Sequence, residues 1–115
     1  MIKGMYIQAG TIKTQKPGAS IYGGEFSDES FAVKHTEVGL LGMCKRSGVK
    51  HSNESQFYVT TGAPLNFLDG EHVVFGRVIE GMDNLREIES MECHESTNEK
   101  PKQRVRIVSC GEFRA

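Results

Sequence analysis

One short run of the chain combines side chains of the types that bind metal ions. Cys93, His94 and Glu95 are adjacent in the sequence, and thiolate, imidazole and carboxylate are all ligands of zinc. A structural zinc site also needs a second pair of ligands at a suitable spacing, and the sequence offers none near this run. We therefore expect neither a metal nor another cofactor.

The cysteines favour a reducing compartment. The three are odd in number, lie far apart at positions 44, 93 and 110, and form no C-x-x-C pair. Disulfide frameworks use an even number of cysteines at closer spacings. We expect free thiols, with Cys110 acting as a small buried apolar side chain.

Length and composition predict one globular domain, residues 1–115. Hydrophobic residues make up 37% and charged residues 25%, and the formal net charge is -1. This near-neutral balance gives no electrostatic reason to expect nucleic acid or an anionic membrane as a partner. The apolar runs are too short to span a bilayer and no signal peptide is visible, so we expect an intracellular location: cytoplasm, nucleus or a cytoskeletal assembly.

Short apolar segments separated by glycine indicate a mainly β domain, a sandwich or a barrel. Polar loops or turns are expected between them, including a turn or bulge at Gly23-Gly24. Asp83 is expected to cap the one convincing helix, near 83–90, and Asp28 a single helical turn that leads to Phe31. The expected strands are 1–12, 38–43, 56–61, 72–79 and 104–110.

A series of short motifs runs through the chain in a distinctive order. It consists of Ser20-Ile-Tyr-Gly23, Phe26-Ser-Asp-Glu29, Phe31, His35, Gly39-Leu-Leu-Gly-Met43, Asn53-Glu-Ser-Gln-Phe57, Leu68-Asp-Gly-Glu-His72, Val73-Val-Phe-Gly76, Gly81-Met-Asp83 and Cys110-Gly111. In order and spacing these motifs resemble the cyclophilin family over about residues 1–113. Segments 51–53, 55–58 and 98–101 look most similar to divergent cyclophilin-like proteins, such as the peptidyl-prolyl isomerase-like protein 6 subfamily.

The resemblance implies a β-barrel with a proline-binding pocket on its outer face. It begins in the strand that follows the family's catalytic arginine, which in the family stands just before the position of Met1. The first strands and first helix of the family fold therefore have no counterpart in these residues. We expect a barrel with open edges and uncovered core, which either stays incomplete or is completed by a neighbouring protein chain.

The resemblance also assigns peptide-binding roles position by position. The apolar members would form a cup for a proline ring, the glutamine would hydrogen-bond the substrate backbone, and the histidine would lie at the rim. The backbone of Cys44 and Lys45, which follow the second strand, would pair with the residues that precede proline. These residues are Met5, Tyr6, Gln8, Cys44, Lys45, Tyr58, Phe67, Leu68 and His72.

Several positions depart from the family pattern. Met5 and Tyr58 stand where phenylalanine is usual, Tyr6 where methionine is usual, and Phe67 where many members have tryptophan. An aromatic side chain in a strand is more often part of the core than of a site, which keeps a structural role open for Met5 and Tyr6. Strict strand alternation also places Met5 and Gln8 on opposite faces, unless a bulge intervenes.

The histidines leave similar alternatives. His72 fits a packing role in a turn as well as the pocket rim, and Gln8 fits a solvated strand position. His35 and His51 are expected to be structural or solvent-exposed.

The reaction that the resemblance implies is rotation about the X-Pro peptide bond. The barrier of about 18–20 kcal/mol comes from partial double-bond character, and a donor aimed at the imide nitrogen stabilises the twisted state. Cyclophilins use an arginine for this, and Lys3 lacks the planar fork needed to replace it. We expect a weak isomerase that binds proline-containing peptides and, weakly, cyclosporin; the alternative is a non-catalytic scaffold or binding subunit of a larger assembly.

Overall fold

A four-stranded antiparallel sheet forms the centre of the protein. The computed structural model describes residues 1–11, 20–45, 48–93 and 100–112. The strands lie side by side in the order β1-β3-β2-β4, and the described residues leave β1 and β4 as edges that do not pair with each other. The predicted mainly β fold with an unclosed sheet is thus confirmed. The strands are β1 (Tyr6–Ala9), β2 (Leu40–Met43), β3 (Phe57–Thr60) and β4 (Val74–Arg77).

The central strand β3 divides the sheet into two faces. Side chains alternate along a strand, so Tyr58 and Thr60 share one face while Phe57 and Val59 share the other. Tyr58 is 3% exposed and Thr60 is fully buried. The main cluster of buried apolar side chains lies on this Tyr58 face, where Tyr58 packs with Leu65 and Leu68.

Two short helices accompany the strands. A 3-10 helix, η1 (Asn66–Leu68), precedes β4, and the α-helix α1 (Met82–Glu89) follows it. The helix α1 was expected, but its predicted cap was wrong: Gly81 occupies the N-cap with φ +91° and no side chain caps the helix. Asp83 lies inside the first turn, where a negative charge is favourable beside the free N–H groups.

The chain enters β1 through a turn rather than a long strand. Ile2 N–H donates to the Tyr6 carbonyl at 2.9 Å, and Met5 N–H donates to the Ile2 carbonyl at 3.0 Å. Gly4 has φ +78° in this turn, a conformation that glycine adopts without strain. The predicted strand 1–12 is therefore shortened at its start; residues 12–19 lie outside the described part of the chain.

Two predictions for the C-terminal segment were wrong. Residues 104–110 form no strand, and Val105, Ile107 and Val108 are 50%, 55% and 82% exposed. Their alternating pattern suits a strand, but a strand needs a partner for its backbone groups, and the four-stranded sheet does not include this segment. Cys110 is exposed for the same reason, rather than buried as expected.

The predicted turn at Gly23-Gly24 is present: Gly23 N–H donates to the Ser20 carbonyl at 3.0 Å. The helical turn predicted after Asp28 is absent. Asp28 instead binds partners distant in sequence, which compete successfully for its carboxylate. Lys45 Nζ lies 2.9 Å from Oδ2, and Asn53 Nδ2 donates to Oδ1 at 2.8 Å.

The Asp28–Lys45 ion pair joins the segment after β2 to the loop before it. The two side chains are 3% and 7% exposed, and Lys45 Nζ also donates to the Glu71 carbonyl at 2.6 Å. Burial raises the pKa of Asp28, but hydrogen bonds from Lys45, Asn53 and the His51 backbone outweigh it and lower the pKa to about 2. The pair therefore stays ionised at neutral pH.

Asp28→Asn tests this ion pair. The substitution keeps the shape of the side chain but leaves the buried Lys45 ammonium without its counter-ion, so we expect the free energy of unfolding to fall by about 3 kcal/mol in urea denaturation. Glu92→Gln is the matched control, because it removes one partner of the exposed Glu92–Lys102 pair and should change stability by less than about 0.5 kcal/mol.

The dependence of stability on acid pH is a second test of the Asp28–Lys45 pair. Since the folded pKa of Asp28 lies below its ordinary value of 3.8, the pair stabilises the fold above about pH 4 and loses about 2 kcal/mol as the pH falls towards 2. Asp28→Asn should lack this part of the acid dependence. Equal losses of stability in Asp28→Asn and Glu92→Gln would contradict a stabilising role of the Asp28–Lys45 pair. So would an acid dependence of stability in Asp28→Asn that equals that of the wild-type protein.

Candidate functional site

Tyr58 is the centre of the site that the resemblance predicts. Its ring lies among three others: Tyr6 at 5.6 Å between centroids, His35 at 5.9 Å and His72 at 5.7 Å. The Tyr6 contact is tilted, the His35 contact is stacked, and the His72 contact is edge-on. Such a ring, fixed on several sides, makes a rigid floor for a small apolar pocket.

Gly42 makes room for this ring. It pairs with Tyr58 across β2 and β3, and a Cβ built at Gly42 would overlap the Tyr58 ring. The tyrosine side chain therefore lies flat over the neighbouring strand. Only glycine permits this close approach.

The walls of the cup come from three parts of the chain. Leu65 directly precedes η1 and Leu68 is its last residue. The two leucines are 6% and 7% exposed and contact Tyr58. Partly buried Met5, Tyr6 and Cys44 pack against the same cluster. Met5 and Tyr6 both reach the Tyr58 face because Met5 belongs to the turn before β1, so strand alternation does not begin until Tyr6. No bulge is needed.

Gln8 and His72 lie at the margins of the cup. Gln8 is exposed, pairs with Tyr58 in the sheet register, and its Nε2 donates to Gln56 Oε1 at 3.0 Å. His72 Nδ1 lies 2.9 Å from the Met43 carbonyl, and a carbonyl only accepts, so Nδ1 carries a proton. Both side chains therefore lie beside Tyr58, Gln8 on the neighbouring strand and His72 with its ring edge-on to the tyrosine.

Two of the predicted residues lie differently from the others. The Lys45 side chain is committed to Asp28 and the Glu71 carbonyl, which leaves only its backbone for a peptide. Phe67 is 57% exposed and does not belong to the apolar cluster around Tyr58. The structure therefore brings together seven of the nine predicted residues: Met5, Tyr6, Gln8, Cys44, Tyr58, Leu68 and His72.

Burial keeps the polar atoms of the cup uncharged. It raises the pKa of the Cys44 thiol to about 12, and it also raises the pKa of the Tyr58 hydroxyl above its ordinary value. Cys44 is then a neutral thiol that acts as an apolar wall, not a nucleophile. Neither Cys44 nor Tyr58 offers an anionic nucleophile for covalent chemistry.

Sequence reasoning missed three contributors to the site: Leu65, His35 and Asp69. Leu65 lies between two predicted strands, where a loop is expected, and His35 is predicted to be structural or solvent-exposed. His35 is fully buried, and its Nε2 lies 2.5 Å from the Tyr58 hydroxyl. The signal was the tyrosine itself, because a hydroxyl on a buried ring needs a hydrogen-bond partner.

The structure also bears on metal sites, membrane-spanning helices and other cavities. Among residues 1–11, 20–45, 48–93 and 100–112, no group of three metal-binding side chains comes together; His94 and Glu95 lie outside these ranges. No helix within the described residues is both long and apolar enough to cross a bilayer. A cavity of about 500 Å³ lies away from the cup and is lined by Phe26, Met43, Val73 and Phe75, among others.

Comparison with known proteins agrees with the fold. The family model described as cyclophilin type peptidyl-prolyl cis-trans isomerase/CLD matches residues 1–112. Peptidyl-prolyl cis-trans isomerase B of Saccharomyces cerevisiae is 42% identical over 115 residues, covering 98% of this chain and 54% of its own length. Isomerase H of Mycosarcoma maydis is 47% identical over 94 residues, covering 82% of this chain and 57% of its own.

A solved structure agrees as well. A cyclophilin-type isomerase of Cryptosporidium parvum, crystallised in the presence of the dipeptide Ala-Pro, superposes with a TM-score of 0.76 at 37% identity. The superposition covers 88% of this chain and 63% of that one. The chain belongs to the cyclophilin-type peptidyl-prolyl cis-trans isomerase family, and it spans 54% and 57% of the length of these two curated relatives. A closer likeness to the isomerase-like protein 6 subfamily stays a prediction.

Gly42→Ala tests whether the Tyr58 floor depends on this glycine. The added methyl group would displace the ring, so we expect the free energy of unfolding to fall by about 1–3 kcal/mol and the near-ultraviolet circular dichroism of the tyrosines to change. Gly76→Ala in neighbouring β4 is the matched control, because a Cβ there would lie 3.8 Å from Leu41 Cβ, an ordinary contact. Equal effects of the two substitutions would contradict this role for Gly42.

Proposed function

We propose that this domain binds proline-containing segments of proteins in the cup around Tyr58 and accelerates X-Pro isomerisation only weakly. The observation that carries the proposal is the convergence of separate chain segments on one apolar floor. Leu65, Leu68, Met5, Tyr6 and Cys44 all pack around Tyr58, with polar side chains at the margin. That is the arrangement of a pocket that takes an apolar group and fixes its backbone by a few hydrogen bonds.

Proline suits this cup for physical reasons. Its ring is compact, apolar and rigid, so it loses little conformational entropy on binding. Gln8 and His72 at the margin provide side-chain groups for the peptide backbone on either side of the ring. The Cryptosporidium parvum relative was crystallised with Ala-Pro, which supports a proline-containing ligand for the same fold.

Weak catalysis follows from the cations available near the cup. The twisted imide nitrogen needs a fixed donor, and the resemblance places the family's arginine just before the position of Met1. Lys45 donates to Asp28 and to the Glu71 carbonyl, and Arg86 donates to the Thr61 carbonyl at 2.7 Å. Neither described side chain is available for the nitrogen, so binding would exceed catalysis.

A second candidate is a non-catalytic scaffold or binding subunit completed by a neighbouring protein chain. It is favoured by exposed apolar side chains outside the cup, including Phe75 at 53%, Ile79 at 89% and Val108 at 82%. Apolar groups exposed on this scale beside open strand edges are typical of surfaces that another chain covers. In this role the proline cup would bind its partner without catalysing isomerisation.

Cyclosporin and cellular location belong to the same proposal. We expect weak cyclosporin binding, because Phe67 stands at a position where many family members have tryptophan and its side chain is 57% exposed. An intracellular setting, in the cytoplasm, nucleus or a cytoskeletal assembly, stays a prediction.

Exchange NMR on a short X-Pro peptide measures isomerisation without a coupled protease. Uncatalysed isomerisation takes about tens to hundreds of seconds, and we expect the chain to make cis–trans exchange faster than this. The acceleration should be far smaller than that of a complete cyclophilin measured alongside it. Tyr58→Ala should abolish the increase by removing the floor, whereas Val105→Ala, in an exposed segment away from the cup, should preserve it.

The remaining outcomes separate the candidates. A rate equal to that of the complete cyclophilin would contradict weak catalysis. Peptide binding with no acceleration would favour the scaffold, and the absence of both would contradict the proline cup. Joining the chain to an upstream segment from an arginine-bearing relative should raise the rate if the pocket itself is competent.

A further inference from the structure

The segment that carries Leu68 is held at both ends by one residue, His35. At its start, Leu65 N–H donates to the His35 carbonyl at 2.9 Å. At its end, one oxygen of Asp69 accepts two hydrogen bonds from His35, from the backbone N–H at 2.7 Å and from Nδ1 at 2.8 Å. His35 is fully buried, so the position of the Leu68 wall depends on a fixed internal anchor.

The same histidine also reaches the floor of the cup. Its Nε2 lies 2.5 Å from the Tyr58 hydroxyl, and the two rings stack with an angle of 22° between their planes. A continuous hydrogen-bond chain therefore runs from Tyr58 through His35 to Asp69. It connects the floor of the cup to the residue next to its Leu68 wall.

The direction of the protons follows from the chemistry of the groups. The backbone N–H and side chain of His35 hold the pKa of Asp69 below its ordinary value, so Asp69 is an acceptor and Nδ1 carries the proton. Nε2 of a neutral imidazole is then an acceptor, and Tyr58 donates to it. Burial raises the pKa of Tyr58, which keeps this donor protonated.

We propose that His35 and Asp69 are positioning residues that fix the Tyr58 floor relative to the Leu68 wall and so make the cup selective for the five-membered proline ring. The inference rests on the proposed function. A hydrogen-bond chain whose members all have partners, anchored on the fully buried His35, resists tilting, and a pocket held to a fraction of an ångström discriminates better than a loose one. If the hydroxyl is removed, the floor keeps its aromatic ring but loses its anchor.

Tyr58→Phe tests this anchor by removing one oxygen atom. Affinity is measured for two peptides that differ only in carrying proline or its six-membered analogue, pipecolic acid. The wild-type protein should prefer proline, and Tyr58→Phe should lower that preference about fivefold, the scale of one buried hydrogen bond. Tyr22→Phe is the matched control, since it removes a hydroxyl from a tyrosine that packs against Phe26 outside the cup.

The ring nitrogens of His35 give a readout that general destabilisation would not produce. In the wild-type protein, nitrogen-15 NMR should show a neutral ring protonated at Nδ1, with the Nε2 signal shifting in Tyr58→Phe and unchanged in Tyr22→Phe. Asp69→Asn, which retains a weaker acceptor oxygen, should give an intermediate loss of preference.

The outcomes distinguish this inference from the function on which it rests. If Tyr58→Phe binds the proline peptide with the wild-type preference, the positioning role is wrong while the proline cup stands. If His35 is protonated at Nε2 rather than Nδ1, the proposed hydrogen-bond chain is wrong. If the wild-type protein binds neither peptide, the proposed function fails and the selectivity fails with it.

Discussion

The close packing of the Tyr58 ring against Gly42 is the constraint on which the site depends. An aromatic ring that lies over a neighbouring strand needs a position without a Cβ, and β2 supplies one opposite it. Once the ring lies there, its hydroxyl is buried and needs a partner, which His35 provides. Burial of the ring thus determines the floor of the cup, and it also determines the hydrogen-bond chain from Tyr58 through His35 to Asp69.

A second constraint fixes the Lys45 side chain beside the cluster. Lys45 follows β2 at the edge of the cup, yet its ammonium is buried against Asp28. A buried charge is costly unless it is paired, so this cation stabilises the loops and is not available to a substrate. The Tyr58 hydroxyl and the His72 ring are likewise already hydrogen-bonded, to His35 and to the Met43 carbonyl.

The sequence was informative where the pattern is local. Alternation and glycine spacing predicted the four strands and α1, and family motifs predicted most members of the cup. Three features were not predicted from the sequence. The alternating segment 104–110 has no strand partner, Asp28 prefers distant partners to a local cap, and the His35–Asp69 connection joins residues 34 positions apart. Each depends on tertiary contacts that local pattern does not encode.

Titration of the isotope-labelled chain with the dipeptide Ala-Pro, followed by NMR, tests the central claim most directly. If the cup around Tyr58 is the proline site, signals of Tyr58, Leu68 and His72 will shift with one common saturation curve, while those of Phe26 and Phe75 in the separate cavity will not. Shifts confined to Phe26 and Phe75, or no saturable shift at any concentration, would contradict the account.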